Sequence, residues 1–174
     1  MSKHFLEIQK GNFIASEKNK VNDVNLIIKD EGQIISLLGP SGIGKTTILR
    51  TLAGLQKLNS GKIFLKGKLI ASSKIHVEPE KRNIALSFQD NSLFPNYKVI
   101  DNINFGKKRS NGNGFSLDTK EITNLLHIDP ILDKFPHQIS AGEAQRVSIA
   151  RSLISKPDLL LLDEPFSNID QSLK

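Results

Sequence analysis

Gly39-Pro-Ser-Gly-Ile-Gly-Lys-Thr46 sets three glycines, a lysine and a hydroxyl in the spacing Gly-x4-Gly-Lys-[Ser/Thr]. Glycines let the backbone curl so that successive N–H groups converge on one anion, with a helix N-terminus behind them. Lys45 can place a point charge on β- and γ-phosphates, and the Thr46 hydroxyl can ligate Mg²⁺. The pattern predicts phosphate binding by Gly39, Pro40, Ser41, Gly42, Ile43, Gly44, Lys45 and Thr46. An ordinary Gly-rich turn between strand and helix is the competing reading. The apolar run before the motif and the amphipathic run after it weigh against that reading.

A second cluster is acidic. Leu159-Leu-Leu-Leu-Asp163-Glu164 has four apolar residues that bury a strand and deliver a carboxylate at its end. By itself such a run is an ordinary strand end. Downstream of a P-loop it reads as a Walker B strand, with Asp163 helping to hold Mg²⁺ and Glu164 acting as general base on an in-line water. These two motifs fit kinases, GTPases and many ATPases alike.

The elements that must position them follow from periodicity. Phe5–Ile8 alternates, and Val24, Leu26 and Ile28 share one face, which predicts an N-terminal β region. Ile34–Leu38 is apolar apart from Ser36, as in a buried parallel strand. From Thr46 to Leu55, Ile48, Leu49, Leu52 and Leu55 stand at helical spacing. Further strands are predicted at Ile63–Leu65, Ile84–Phe88 and Asp158–Asp163, and helices at 118–127 and about 141–155, the latter packing Val147, Ile149, Ala150 and Leu153. Residues 109–115 read as a loop. Strands alternating with helices predict an α/β fold with a parallel sheet and a mostly helical insert between about 90 and 155.

Composition bounds the rest. The chain has 174 residues, no Cys and a net charge of +6. A disulfide scaffold, a thiolate zinc site and a Cys nucleophile are thereby excluded. No apolar run approaches the roughly 20 residues of a membrane helix, and no apolar stretch opens the chain as a secretory signal would, so an intracellular soluble protein is expected. Residues 62–109 hold ten Lys/Arg against four Asp/Glu, while the remainder is balanced at fourteen each. That excess reads as a solvated face, or else as attraction to anionic lipid or nucleic acid. With no Trp and one Tyr there is little platform for stacking bases, and no nucleic-acid partner is expected.

The segment Ile139-Ser-Ala-Gly-Glu-Ala-Gln-Arg-Val-Ser-Ile-Ala-Arg-Ser-Leu153 resembles the ATP-binding cassette signature, usually Leu-Ser-Gly-Gly-Gln followed by an Arg-containing helix. With Ser-Phe-Gln89 and Asp163-Glu-Pro-Phe-Ser-Asn-Ile-Asp170, the chain from about residue 5 onward resembles the nucleotide-binding subunit of a bacterial ABC transporter. The resemblance implies a P-loop NTPase fold: a RecA-like parallel sheet, an N-terminal antiparallel β region and a helical subdomain. It implies an ATPase core at 1–90 and 156–174 and a helical subdomain at about 91–155. Thr47 continues the helix start after the phosphate loop. Gln89 is the Q-loop residue, reaching Mg²⁺ and the attacking water. Ser140 and Gly142 hold the γ-phosphate of ATP on an opposing subunit, so that two ATP molecules are sandwiched in a homodimer or paired cassette, and Asp170 crosses that interface. Phe13 is chosen as the aromatic stacking on adenine, with Phe5 as the other candidate and a core role open for both.

The run Glu78-Pro-Glu-Lys-Arg-Asn through Asn102-Ile103 is similar to importer subunits of the iron(III), polyamine, sugar and thiamine groups, and Asp163-Glu-Pro-Phe-Ser-Asn-Ile-Asp170 leans toward the iron(III)-like branch. This implies ATP hydrolysis powering solute import, with transmembrane permease subunits, a solute-binding protein and a peripheral position on the cytoplasmic face of the membrane. Phe94, Pro95 and Tyr97 then offer a groove to a permease helix, or else pack within the helical insert. Ala141 stands in place of the first signature glycine and Glu143 in place of the usual Gln, which implies a weaker sandwich. None of His4, His76, His127 and His137 follows Glu164, where the family carries a switch His. The chain therefore reads as a C-terminally truncated cassette expected to turn over little ATP as it stands. A non-catalytic nucleotide-binding fragment and a soluble non-transport ABC ATPase are the alternatives. Lys45→Ala is expected to abolish tight ATP binding while leaving the fold intact. Calorimetric titration of both proteins checks this; unchanged affinity in a folded variant would refute the P-loop assignment.

Overall fold

The computed structural model describes residues 4–14, 20–88, 93–107 and 117–165. Gln89 and Asp170, and the loop expected at 109–115, lie outside the described residues. The chain divides into two compact units, Met1–Arg82 and Asn83–Lys174.

The first unit is built on a four-stranded antiparallel sheet of β1 (Leu6–Ile14), β2 (Lys20–Ile28), β3 (Ser60–Leu65) and β4 (Lys68–Ser72), in the order β2-β1-β3-β4. Alternation buries Leu6 and Ile8 of β1, opposite Ile28 and Leu26 of β2. A bulge then shifts the register, so that Gly11 pairs with Val24 and Phe13 with Val21. Left-handed residues at Lys10 and Asp23 take up the extra turn. Gly61 is obligatory in β3: its φ is +94°, and a Cβ there would run into the carbonyl oxygens of Lys10 and Gln9. Helix α1 (Lys45–Ala53) buries Ile48, Leu49, Leu52 and Ala53 and stops at Gly54 in the left-handed conformation. Leu55, expected on the apolar stripe, falls beyond that stop and is exposed.

One expectation fails in this unit. Ile34–Leu38 forms no strand, and Ile34 and Leu38 are 96% and 92% exposed. A strand needs a partner for its N–H and C=O groups as well as an apolar composition. Among the described residues no strand pairs with this segment. The apolar run records the burial that the segment favours, not a neighbour that supplies it.

The second unit pairs β5 (Ile84–Ser87) with β6 (Leu159–Leu162) in parallel, from Ile84 opposite Leu159 to Ser87 opposite Leu162. Three helices complete it: α2 (Val99–Lys107), α3 (Thr119–Leu125) and α4 (Ala141–Ile154). Val99, Ile103, Ile122, Val147, Ala150 and Ile154 meet in its core. Asn102, wholly buried, spends its amide on the 94–98 loop, accepting from Phe94 N at 2.8 Å and donating to the carbonyls of Phe94, Tyr97 and Lys98. Phe94 packs edge-on against Phe105 at 4.6 Å and tilts against Tyr97 at 5.5 Å, with the Arg151 guanidinium 5.5 Å from its ring. These aromatics pack within the unit and still leave Phe94 37% and Tyr97 46% exposed.

The α2–α4 crossing depends on Gly106, where a Cβ would meet the Arg151 carbonyl and, at 2.7 Å, Ile154 Cγ2. Gly→Ala in a helix ordinarily gains about 1 kcal/mol. Here Gly106→Ala is expected to cost about 1–3 kcal/mol, because overpacking at backbone contact forces the helices apart. Urea denaturation reads the sign; a stabilised variant would refute the close packing.

Candidate functional site

The Gly39–Thr46 loop lies in the first unit. Gly42 at φ +80° and Gly44 at φ +110° hold conformations that L side chains resist, and a Cβ on Gly44 would collide with the Val21 side chain. The turn closes through Ile43 N donating to Pro40 O at 3.4 Å, and α1 opens with Ile48 N donating to Gly44 O at 3.0 Å. The N-terminus of α1 has no side-chain cap and no acid in its first turn. By contrast, α3 and α4 are each closed by a capping box. The first N–H groups of α1 are thus not claimed by a capping side chain and suit an anion. Lys45 folds back over the loop, its ammonium donating to Gly39 O at 2.7 Å and Pro40 O at 2.9 Å. The structure therefore brings Gly39, Pro40 and the Lys45 charge to one place. Thr46 follows in the first turn, half-buried, while Thr47 is buried in the helix.

Asp163 and Glu164 lie in the second unit. Asp163 ends β6, nearly buried at 9% exposure, with its N–H donating to Ser87 O at 3.1 Å. Glu164 is exposed and has φ +49°, a left-handed backbone that a Glu seldom adopts. Gln145 of α4 is buried, and its amide reaches the Glu164 carbonyl at 3.5 Å. The Ser87 and Ser148 hydroxyls meet at 3.1 Å, joining β5 to α4. Gln145, Ser87 and Ser148 escaped sequence reasoning. A polar residue on a helix face gives no sign, in one sequence, of which strand end it touches.

At the start of α4, Ser140 is the N-cap. Its hydroxyl accepts from Glu143 N at 3.2 Å, and the Glu143 carboxylate accepts from Ser140 N at 2.7 Å. The hydroxyl keeps its own proton for an acceptor such as phosphate oxygen. Glu143 thus has a local task, closing the helix start. The Ser140 N–H, then the Ser140 side chain, hold its carboxyl below the ordinary range, with Lys134 and Arg146 adding smaller attractions against slight desolvation. Ala141 is exposed and Gly142 half-buried in the first turn.

Phe13 requires correction. It is wholly buried in β1, packed where a Cβ on Gly11 would touch its ring, so it serves the sheet core and offers no face to adenine. Phe5 is half-buried, with the Lys66 ammonium 5.9 Å from its ring centroid. Among the described residues no three His, Cys, Asp or Glu side chains cluster as a metal cage.

Glu143→Ala is expected to destabilise the start of α4 by about 0.3–1.5 kcal/mol at neutral pH. The folded-state carboxyl titrates below its unfolded value, so the stabilisation is complete above the usual carboxylate range and fades as pH falls through it. Amide exchange of the first turn in wild type and variant should differ at pH 7 and converge in acid. A deficit that is the same at every pH would refute the charged cap.

The sequence profile of the ABC transporter family matches residues 21–167. The Fe(3+) ions import ATP-binding protein FbpC of Haemophilus influenzae strain 86-028NP is 37% identical over 171 residues, covering 97% of this chain and 48% of its own length. The molybdate/tungstate import ATP-binding protein WtpC of Pyrococcus abyssi is 44% identical over 157 residues, covering 89% of this chain and 44% of its own. The chain spans about half the length of the curated relatives it matches. Among solved structures, cbiO1 from Clostridium perfringens, part of an ABC transporter complex, has a TM-score of 0.76 at 28% identity, over 97% of this chain and 68% of that one. The dimeric bacterial ABC transporter cassette MJ0796 has a TM-score of 0.78 at 24% identity, over 96% and 77%, which extends the likeness in fold. The resemblance drawn from the P-loop, Ser-Phe-Gln89, signature and Walker B motifs holds: the chain belongs to the ABC transporter family.

Proposed function

We propose that this chain is the ATP-binding and hydrolysing part of an importer, using ATP to drive a solute across a membrane. The observation that carries the reading is the uncapped N-terminus of α1 beneath a loop where Lys45 is already held, in a chain of this family. Gly39 to Thr46, with Thr47 behind them, take the phosphates. Thr46 and Asp163, with Gln89, hold Mg²⁺, which would neutralise charge on the β- and γ-oxygens. Glu164 is the general base, and the left-handed backbone beneath it aims its side chain. Ser140 and Gly142 present the start of α4 to ATP bound by a second cassette, and Asp170 crosses to that cassette.

The ATPase core is assigned to 1–90 and 156–174 and the helical subdomain to about 91–155. Permease subunits are the partners, through the exposed edges of Phe94 and Tyr97 beside Pro95, with a solute-binding protein in the same system. No helix among the described residues is long and apolar enough to cross a membrane, in keeping with a peripheral position on the cytoplasmic face. Relatives named for Fe(3+), sn-glycerol-3-phosphate, molybdate/tungstate and maltose import lie at similar identity, 37–44%. Solutes so unlike one another indicate that the choice is made outside this part of the protein. An iron(III)-like system is the one we propose on the resemblance of Asp163–Asp170, the selection of the solute itself falling to other parts of the transporter.

Glu164→Gln in the full-length protein is expected to keep ATP binding and to lower turnover by about 10²–10⁴-fold, the usual loss of a general base. Phosphate release at saturating Mg-ATP measures it. Near-normal turnover would move the base elsewhere.

A further inference from the structure

Arg82 is 2% exposed and lies beneath the far end of the nucleotide helix. Its Nε donates to Val77 O at 2.6 Å, and its Nη1 donates to Thr51 O at 2.7 Å and Leu52 O at 2.8 Å. Nη2 lies 3.4 Å from His76 Nδ1. Three carbonyls therefore take the guanidinium, two of them at the C-terminus of α1, where carbonyls lack partners and the helix carries its negative end. Burial lowers the pKa of the group, while the Glu78 carboxylate nearby favours its charge. Gly54 makes the room: a Cβ there would stand 2.7 Å from Arg82 Nε and 3.0 Å from Cζ. A rigid fork suits this task and a lysine does not, since one ammonium cannot span Val77 and both helix carbonyls in a single plane.

We propose that Arg82 is the positioning residue of the nucleotide site. Its anchors on α1, Thr51 and Leu52, stand one to two turns from Lys45 and Thr46 at the other end of one nine-residue helix. Holding Thr51 and Leu52 against the 76–82 segment fixes where the first turn of α1 points its N–H groups and the Lys45 stem. Neighbouring carbonyls and Glu78, not a substrate, surround the guanidinium, so Arg82 acts through α1 and touches no nucleotide. The proposal rests on the reading that α1 binds ATP phosphates.

The test is calorimetric titration of the full-length protein with Mg-ATP, in wild type, Arg82→Lys and Arg82→Gln, well below each thermal midpoint. Arg82→Gln is expected to stay folded by circular dichroism and to lose affinity by about tenfold or more, as small misplacements of a binding group do. Arg82→Lys should recover part of it. Ile63→Val, in β3 and buried in the core of the first unit, serves as a control for lost stability alone and should keep wild-type affinity. Wild-type affinity in folded Arg82→Lys and Arg82→Gln would overturn the proposal. So would loss of fold in both, or an equal affinity loss in Ile63→Val, since Arg82 would then serve the fold alone. Failure of wild type itself to bind Mg-ATP would instead refute the ATP reading.

Discussion

A multiply charged phosphate chain can be bound by backbone amides only if those amides are fixed in direction before it arrives. In the function proposed above that requirement falls on the first turn of α1, and the surrounding structure suits it. Gly42 and Gly44 take backbone conformations that let the loop curl, with Val21 packed so closely that any side chain on Gly44 is excluded. The helix start is left without a side-chain cap, whereas α3 and α4 are closed by their own carboxylates. An acid in the first turn of α1 would compete with phosphate for the same donors. At the opposite end, Gly54 ends the helix with its N–H donating to Thr51 O, and Arg82 donates to Thr51 O and Leu52 O as well.

The second unit solves a related problem for a carboxylate pair. Parallel pairing of β6 with β5 delivers Asp163 to a strand end, where the Ser87 carbonyl holds its N–H. The backbone then turns left-handed at Glu164, and the two adjacent acids differ in exposure, Asp163 nearly buried and Glu164 open to solvent. Contacts from Gln145 and Ser148 tie α4, with Ser140 at its start, to that strand end. One helix thus connects the signature residues to the acids.

Much of this was legible in the sequence, for physical reasons that differ by element. The phosphate loop is read from residue types because glycines at fixed spacing encode backbone shape directly. Strands β1 to β3 and helices α1 and α4 follow from apolar period, which acts locally. Ile34–Leu38 misled because composition states a preference for burial without naming the strand that must pair with it. Phe13 misled because a bulge at Gly11 decides which face an aromatic takes, and a bulge is set by register between strands. Arg82 was invisible as more than one basic residue in a basic stretch, since its partners lie about thirty residues earlier.

The central claim is that nucleotide phosphates lie against residues 39–48 at the start of α1. Amide hydrogen exchange of the full-length protein, with and without Mg-ATP, tests it most directly. The account predicts that residues 39–48 gain the strongest protection in the first unit, with little change at the exposed β2 edge of its sheet. Saturation with Mg-ATP that leaves 39–48 exchanging as before, while another segment becomes protected, would contradict it.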